Sequence, residues 1–339
     1  MVSPTSQDVA KKAGVSIATV SRVLNDSPHV RPAARTKVLR AVKALNYQPN
    51  RTAQRLRAKQ SKVIGLIISD IQNPFFTSIV RGIEDHAHRH GYSLVLCNSD
   101  EDPQKEQLYI NVMRAEAVAG VIITSTLDSN PLLSDLRDHK IPVVAVDRRI
   151  KNQKIDSVCV SNALGAHAAV SHLIELGHRK IGLIGLPWTC VPGKERYDGY
   201  QNALREHGLS VSRQLIRIGD AKQASGHTCT LDLLKSQPSL TALFVANNLM
   251  TLGALSAIRE CGLKIPDDIS IVGFDDMPWA SLLQPPLTAV AQPTYELGQK
   301  SAELLLARLN EPDIPVAHLQ LDTTLIVRGS TAAPPANHY

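Results

Sequence analysis

From Lys62 onward, short apolar runs alternate with stretches of helical pattern. This alternation restricts the chain to parallel sheets covered by helices on both faces. The runs at 63–69, 93–98, 120–125, 143–147, 157–160, 180–185, 242–246 and 269–274 read as strands. The stretches at 76–90, 105–114, 165–176, 194–207, 221–235 and 251–261 read as helices. Two doubly wound lobes fit this length better than one sheet, with a break near 160–163 and a return crossing near 289–293. One lobe is expected to comprise 62–160 plus 292–322, the other 161–290 plus 323–330, with a flexible tail at 331–339. The fold class is α/β, preceded by a small all-α unit.

Residues 1–61 differ in charge from the rest of the chain. They hold twelve lysines and arginines against two acids, a net +10, whereas the remainder is −4. A compact basic segment on a mildly acidic body points to a polyanion partner for that segment alone. Thr5 with Asp8 is a helix-start signal, and Gly14 a stop. Ser16 can cap a second helix over 17–25, burying Val20 and Val23 or Leu24. Pro32 suits the first position of a third helix, 32–45, with Val38, Leu39, Val42 and Leu45 inward. Two short helices joined by a glycine-containing turn form a helix-turn-helix, whose second helix enters the DNA major groove. There Ile17, Ala18 and Arg22 are placed to reach base edges, and Arg22 can bond guanine twice. A phosphate contact is the alternative for Arg22, and Ser16, Thr19 and Ser21 are candidates for phosphate contacts.

The run DVAKKAGVSIATVSRVLNDSPHV, followed by YQPNRTAQRLRAKQS, resembles the headpiece of the lac repressor family of bacterial transcription regulators. The resemblance extends to about residue 330. It implies a DNA-binding headpiece over 1–49, a hinge over 50–61 and an effector-binding and dimerisation core over 62–330. Arg31 departs from the pattern, standing where many relatives place Ser or Thr to cap the third helix. The expected DNA-facing set is completed by Asn25, His29, Asn50, Arg51, Ala53, Gln54, Leu56 and Arg57. The hinge is shorter than the ~12–15 residues an isolated helix needs in water. It is therefore expected to be disordered when free and helical between DNA and a second copy of itself. The resemblance assigns Leu56 insertion between base steps in the minor groove; packing on the partner hinge is the compatible alternative.

Open parallel sheets bind ligands beyond the carboxyl ends of their strands. Aromatic residues are only 4% of the chain, yet five of its six Phe and Trp residues follow strands: Phe75, Phe76, Trp188, Phe274 and Trp279. Such rings stack on the C–H face of a sugar. Phe274 is the exception expected in the core. Polar candidates at the same ends are Asp70, Asn73, Asp147, Arg148, Arg196, Asn247, Asp275 and Gln292. Taken singly, Asp147 with Arg148 also reads as a surface ion pair, and Asn247 as a helix cap. The resemblance implies a periplasmic-sugar-binding-like core and gives ligand roles to Asp147, Arg148, Arg196, Asp275 and Gln292. Asn248 stands where relatives usually have Asp, which removes a negative charge from the expected cleft rim. With Arg148, Arg149 and Arg196 near, a sugar acid or phosphosugar becomes an expectation beside a neutral sugar.

No run of ~18 apolar residues is present, so no membrane span is expected. The N-terminal stretch has no apolar run behind a basic start, so a signal peptide is not expected and a cytoplasmic location is. Five cysteines lie singly, without metal or dithiol spacing. His86 and His90 share a helix face, which reads as solvated rather than metal-binding. No nucleophile elbow, phosphate loop or zinc-protease motif occurs, so neither catalytic residues, cofactor nor metal is expected. The C-terminal residues carry no heptads, which points to a homodimer rather than a tetramer. The expectation is a repressor that reads a pseudo-palindromic operator under allosteric control by a sugar or sugar acid. A stand-alone sugar receptor has no use for the basic headpiece, and a sugar-modifying enzyme needs a nucleophile or base that no motif supplies.

Overall fold

The computed structural model describes residues 4–24, 27, 29–47 and 61–335. Asn25 and the hinge residues Asn50, Arg51, Ala53, Gln54, Leu56 and Arg57 lie outside the described residues. The chain divides into two compact units, Met1–Ser61 and Lys62–Tyr339.

The first unit holds α1 (Ser6–Ala13), α2 (Ile17–Leu24) and α3 (Pro32–Ala44). Thr5 and Asp8 close a reciprocal cap. The Asp8 amide donates to Thr5 Oγ1 at 3.3 Å, and the Thr5 amide donates to Asp8 Oδ2 at 2.8 Å. Gly14 ends α1 at φ 65°, a conformation that side chains disfavour. Ser16 Oγ accepts the Thr19 amide at 3.2 Å and starts α2. Val9, Val20 and Val38 are fully buried at the centre of the three helices. Arg31 supplies no side-chain cap to α3, whose first position is Pro32. Leu39, expected inward, is 50% exposed. Val38 and Ala41 fill the inward stripe, and Leu39 lies one helical step, about 100°, away from it.

The second unit contains two six-stranded sheets. The first sheet runs β11-β5-β4-β3-β1-β2, formed by His318–Leu321, Asp156–Val160, Val143–Val146, Gly120–Ile123, Val63–Ile68 and Ser93–Asn98, all parallel. The second runs β12-β10-β9-β8-β6-β7, formed by Thr324–Ile326, Thr288–Ala291, Ser270–Phe274, Ala242–Val245, Ile181–Gly185 and Ile216–Ile218. Only β12 is antiparallel to its neighbour among these described strands. The first lobe carries α4 (Pro74–Arg89), α5 (Pro103–Ala115), α6 (Pro131–Asp138) and α11 (Thr294–Asn310). The second carries α7 (Asn162–Glu175), α8 (Val191–Glu206), α9 (Gln223–Ser236) and α10 (Asn248–Glu260). The central strands are buried along their length, as two helical layers require. The chain crosses between lobes at 161, 292–293 and 322–323. Two crossings are tied together, since Ser161 Oγ accepts the Thr323 amide at 3.1 Å.

Thr331 and Ala332, expected in a flexible tail, are tied to the second lobe. His172 Nε2 pairs with Thr331 Oγ1 at 2.9 Å, and His178 Nε2 donates to the Ala332 carbonyl at 2.9 Å. Buried His178 would lose a partner without this strap, so 331–332 belong to the second lobe. His86 is not solvated either: its ring stacks on His90 at 4.5 Å and lies 3.9 Å from Glu303 of α11.

Helices α7 and α8 meet at Gly199, where an added Cβ would lie 2.2 Å from the Ala163 carbonyl oxygen. That close approach seats Arg196, one turn earlier on α8, against Asn162 of α7. Gly199→Ala is therefore expected to force the helices apart, costing ~1–3 kcal/mol. Thermal unfolding will show a midpoint several degrees lower, with weaker ligand binding in the same variant.

Candidate functional site

A cavity of about 310 Å³ lies between the lobes, at the carboxyl ends of both sheets. Its walls include Asp70, Asn73, Phe75, Phe76, Asp147, Arg148, Arg196, Asn247 and Asp275, all singled out from the sequence. Each sits where the local fold places it. Asn73 caps α4, its Oδ1 accepting the Phe75 amide at 3.0 Å, which sets Phe75 and Phe76 at the cavity edge-to-face. Asn247 caps α10 through the Met250 amide at 2.9 Å. Asp147 follows β4 and Asp275 follows β9, at φ 69° and 74°. This left-handed backbone suits Asp and Asn better than most side chains, and it turns both carboxylates toward the cavity.

Three sequence candidates fall elsewhere. Trp188 is 54% exposed and stacks on Tyr197 at 5.2 Å. Trp279 packs against the apolar cores of both lobes. Gln292 stands behind the wall and donates to Asp275 Oδ1. Phe274 is fully buried, with the Arg196 guanidinium 3.7 Å over its ring. Glu101, Thr126, Cys190, Asp220 and Lys222 also line the cavity and were not singled out. Glu101, Asp220 and Lys222 follow β2 and β7. The post-strand rule would have reached them had the three-residue β7 been read and the search gone further past β2.

The walls carry five carboxylates, of Asp70, Glu101, Asp147, Asp220 and Asp275, against three bases, Arg148, Arg196 and Lys222. Every base is already engaged. Arg148 holds Glu101 through two bonds, at 2.7 and 2.5 Å, and its Nε lies 3.5 Å from Asp147. Arg196 donates to Asn162 Oδ1 at 2.9 Å and to the Ala246 carbonyl at 2.6 Å, with Asp275 at 4.0 Å. Lys222 reaches across the cleft to Asp70 at 2.5 Å. Asn248 is not on a rim. It is buried, and its amide donates across the lobes to Asn73 Oδ1 at 2.8 Å while its backbone amide donates to Asp275 at 3.2 Å. Arg149 is exposed and off the cavity wall. The positive excess expected from these positions is absent from the cavity wall.

Burial lifts the Asp147 carboxyl to about 6; Arg148 and Arg196 oppose that rise, and Asp275 and Glu101 add to it. Burial also raises Asp275, against Arg196, Gln292 and the Asn248 amide. Burial pushes Glu101 up as well, but its Arg148 bonds hold it below the ordinary carboxylate range. Among the described residues, no group of three or more potential ligands is arranged to hold a metal ion. The chemistry on offer is recognition: carboxylates that accept from hydroxyls, with two phenyl rings beside them.

On the first unit, Ile17, Ala18 and Arg22 project from α2 as exposed residues, and His29 is exposed nearby in sequence. Ser16 is committed to the helix cap and also bonds Thr19 Oγ1 at 2.9 Å. Thr19 and Ser21 are half-buried.

A raised carboxyl contributes stability at low pH that is lost as pH rises through about 6. Above that, ionised Asp147 opposes folding by up to about 3 kcal/mol. Asp147→Asn, which tolerates the same backbone, is expected to raise the thermal midpoint at about pH 7.5, with the gain shrinking toward about pH 5. The same variant should lose ligand binding, a combination that paired melting curves and calorimetry will read.

Residues 5–50 match the family model "Bacterial regulatory proteins, lacI family", and residues 170–331 match "Periplasmic binding protein-like domain". The chain is 38% identical to the ribose operon repressor of Halalkalibacterium halodurans over 327 residues, 96% of this chain and 97% of the relative. It is similar to the lac repressor dimer bound to operator and an anti-inducer, at 33% identity and a TM-score of 0.86, covering 98% of this chain and 100% of the other. It is also similar to a LacI family transcriptional regulator from Enterococcus faecium with bound ribose, at 30% identity and a TM-score of 0.73, covering 80% of this chain and 99% of the other.

Proposed function

We propose, from the premise that this chain belongs to the lacI family of bacterial regulatory proteins, that it represses transcription under the control of a small neutral sugar. It is a DNA-binding transcriptional regulator and not an enzyme. The finer reading is a homodimer on a pseudo-palindromic operator, with α2 in the major groove and the sugar between the lobes. One observation carries the choice of ligand: all three bases of the cavity wall are already engaged, Arg148 and Lys222 by carboxylates and Arg196 by Asn162 and the Ala246 carbonyl with Asp275 at 4.0 Å, and the carboxylates outnumber them. An anionic ligand would bring a further negative charge to a wall whose cations are already engaged and outnumbered. A polyol instead brings donors to waiting acceptors. The cavity is at the small end of the usual ~300–1,000 Å³ for ligand sites, which suits a monosaccharide. A relative's bound ribose makes that pentose the first compound to try.

A second copy has a suitable surface. The edge strand β2 exposes Val95 and Leu96, and α5, packed beside it, exposes Leu108 and Val112. Such a patch on an open sheet edge favours pairing. Closing the lobes on sugar would move the point at which the body begins, at Lys62 just before β1. The sugar acts only through its different affinities for the two states. A free-standing sugar receptor leaves residues 5–50 without a role.

Gel-shift titration with palindromic operators, with and without ribose, tests the reading. A sugar-dependent change in operator affinity supports it, and tight binding confined to sugar acids contradicts the neutral-ligand part. Arg22→Ala should cost ~1–3 kcal/mol of discrimination at one base pair of each half-site, seen as relaxed preference in a library of operator variants.

A further inference from the structure

We propose that Glu106 is the positioning residue of the ligand wall: it holds the Thr126 hydroxyl where one sugar hydroxyl must meet it, and so helps decide which epimer the site accepts. The proposal rests on the sugar reading above.

Glu106 lies in the first turn of α5 and is fully buried. No lysine or arginine pairs with it among the described residues. Three donors of one loop, between β3 and α6, surround it instead. Ser125 Oγ donates at 2.8 Å and Asn130 Nδ2 at 2.6 Å, both to Oε1, while the Thr126 amide donates to Oε2 at 2.5 Å. A buried carboxylate without a paired base takes its hydrogen bonds from the chain that folds around it. Here that chain is the loop, and the carboxylate sets its course.

Two consequences reach the cavity. Thr126 lines it, and Thr126 Oγ1 is a buried atom with no hydrogen-bond partner in the protein. Such an orphan hydroxyl is paired when a ligand group arrives. The Ser125 carbonyl accepts from Arg148 at 3.3 Å, so the same loop also steadies the base that holds Glu101. Glu106 does not line the cavity and acts through these neighbours.

The test uses the full chain, with calorimetric titration of D-ribose, its aldopentose epimers and its monodeoxy analogues. Thr126→Val removes only the hydroxyl. It should weaken ribose about tenfold, yet leave unchanged the one deoxy analogue that lacks the partner hydroxyl. Glu106→Gln should flatten the same preference, and the double variant should fall within about twofold of the worse single, as for groups acting as a unit. If Glu106→Gln weakens all sugars by one common factor, Glu106 is only structural and the proposal is overturned. Selectivity unchanged by Thr126→Val overturns it equally, and that variant decides the matter if Glu106→Gln does not fold. A wild-type chain that binds operator but no sugar of the panel overturns the sugar reading and this proposal together. Sugar binding with unaltered selectivity in both variants overturns this proposal alone.

Discussion

Buried charge between the lobes is the constraint on which the rest of the second unit depends. Ions removed from water must find opposite charge or donors, and here each lobe supplies what the other lacks. Lys222 of the second lobe meets Asp70 of the first, and Asn248 meets Asn73. Arg196 lies between Asp275 of its own lobe and the field of Asp147 from the other. The fold delivers these groups with little freedom. Parallel strands end together, so their following loops converge. Left-handed turns at Asp147 and Asp275 aim two carboxylates inward, and the Gly199 contact sets α8 and therefore Arg196.

Much of this was legible in the residues because it is local. Thr5, Asp8, Gly14 and Ser16 mark where the first two helices begin and end by local capping, while the shared core of Val9, Val20 and Val38 holds these eight-residue helices in place. Apolar runs such as 63–68 report strands buried on both faces. Looking just past strands found Asp70, Asn73, Asp147 and Asp275 because sheet topology makes those positions converge. What escaped is what local pattern does not encode. β11 alternates exposed and half-buried residues over only four positions and β12 spans three without a buried residue, too short to stand out. Trp188 and Trp279 occupy the right loops but point to Tyr197 and to the apolar cores, since position after a strand does not fix side-chain direction. Asn248 looked like a lost charge and is instead a hydrogen bond across the cleft. The donors around Glu106 come from a loop some twenty residues further along the chain.

The proposed guest, a neutral polyol, would bring hydrogen-bond donors to a cleft whose carboxylates outnumber its bases. Two of its acceptors, Asp147 and Asp275, are held by burial above their ordinary affinity for protons, so ionising them at neutral pH costs the lobes stability. A ligand hydroxyl donating to Asp147 favours the ionised carboxylate and relieves part of that cost. In the proposed function, binding energy spent in this way would favour one arrangement of the lobes over another, which is how a small molecule gains leverage on an arrangement many times its size.

The most direct measurement of that claim is the proton balance of binding. Titrating ribose into the chain at about pH 6, in buffers of different ionisation heat, should show a net release of up to about half a proton as Asp147 loses it. Binding heats that do not change with buffer, or that report proton uptake, would contradict the account.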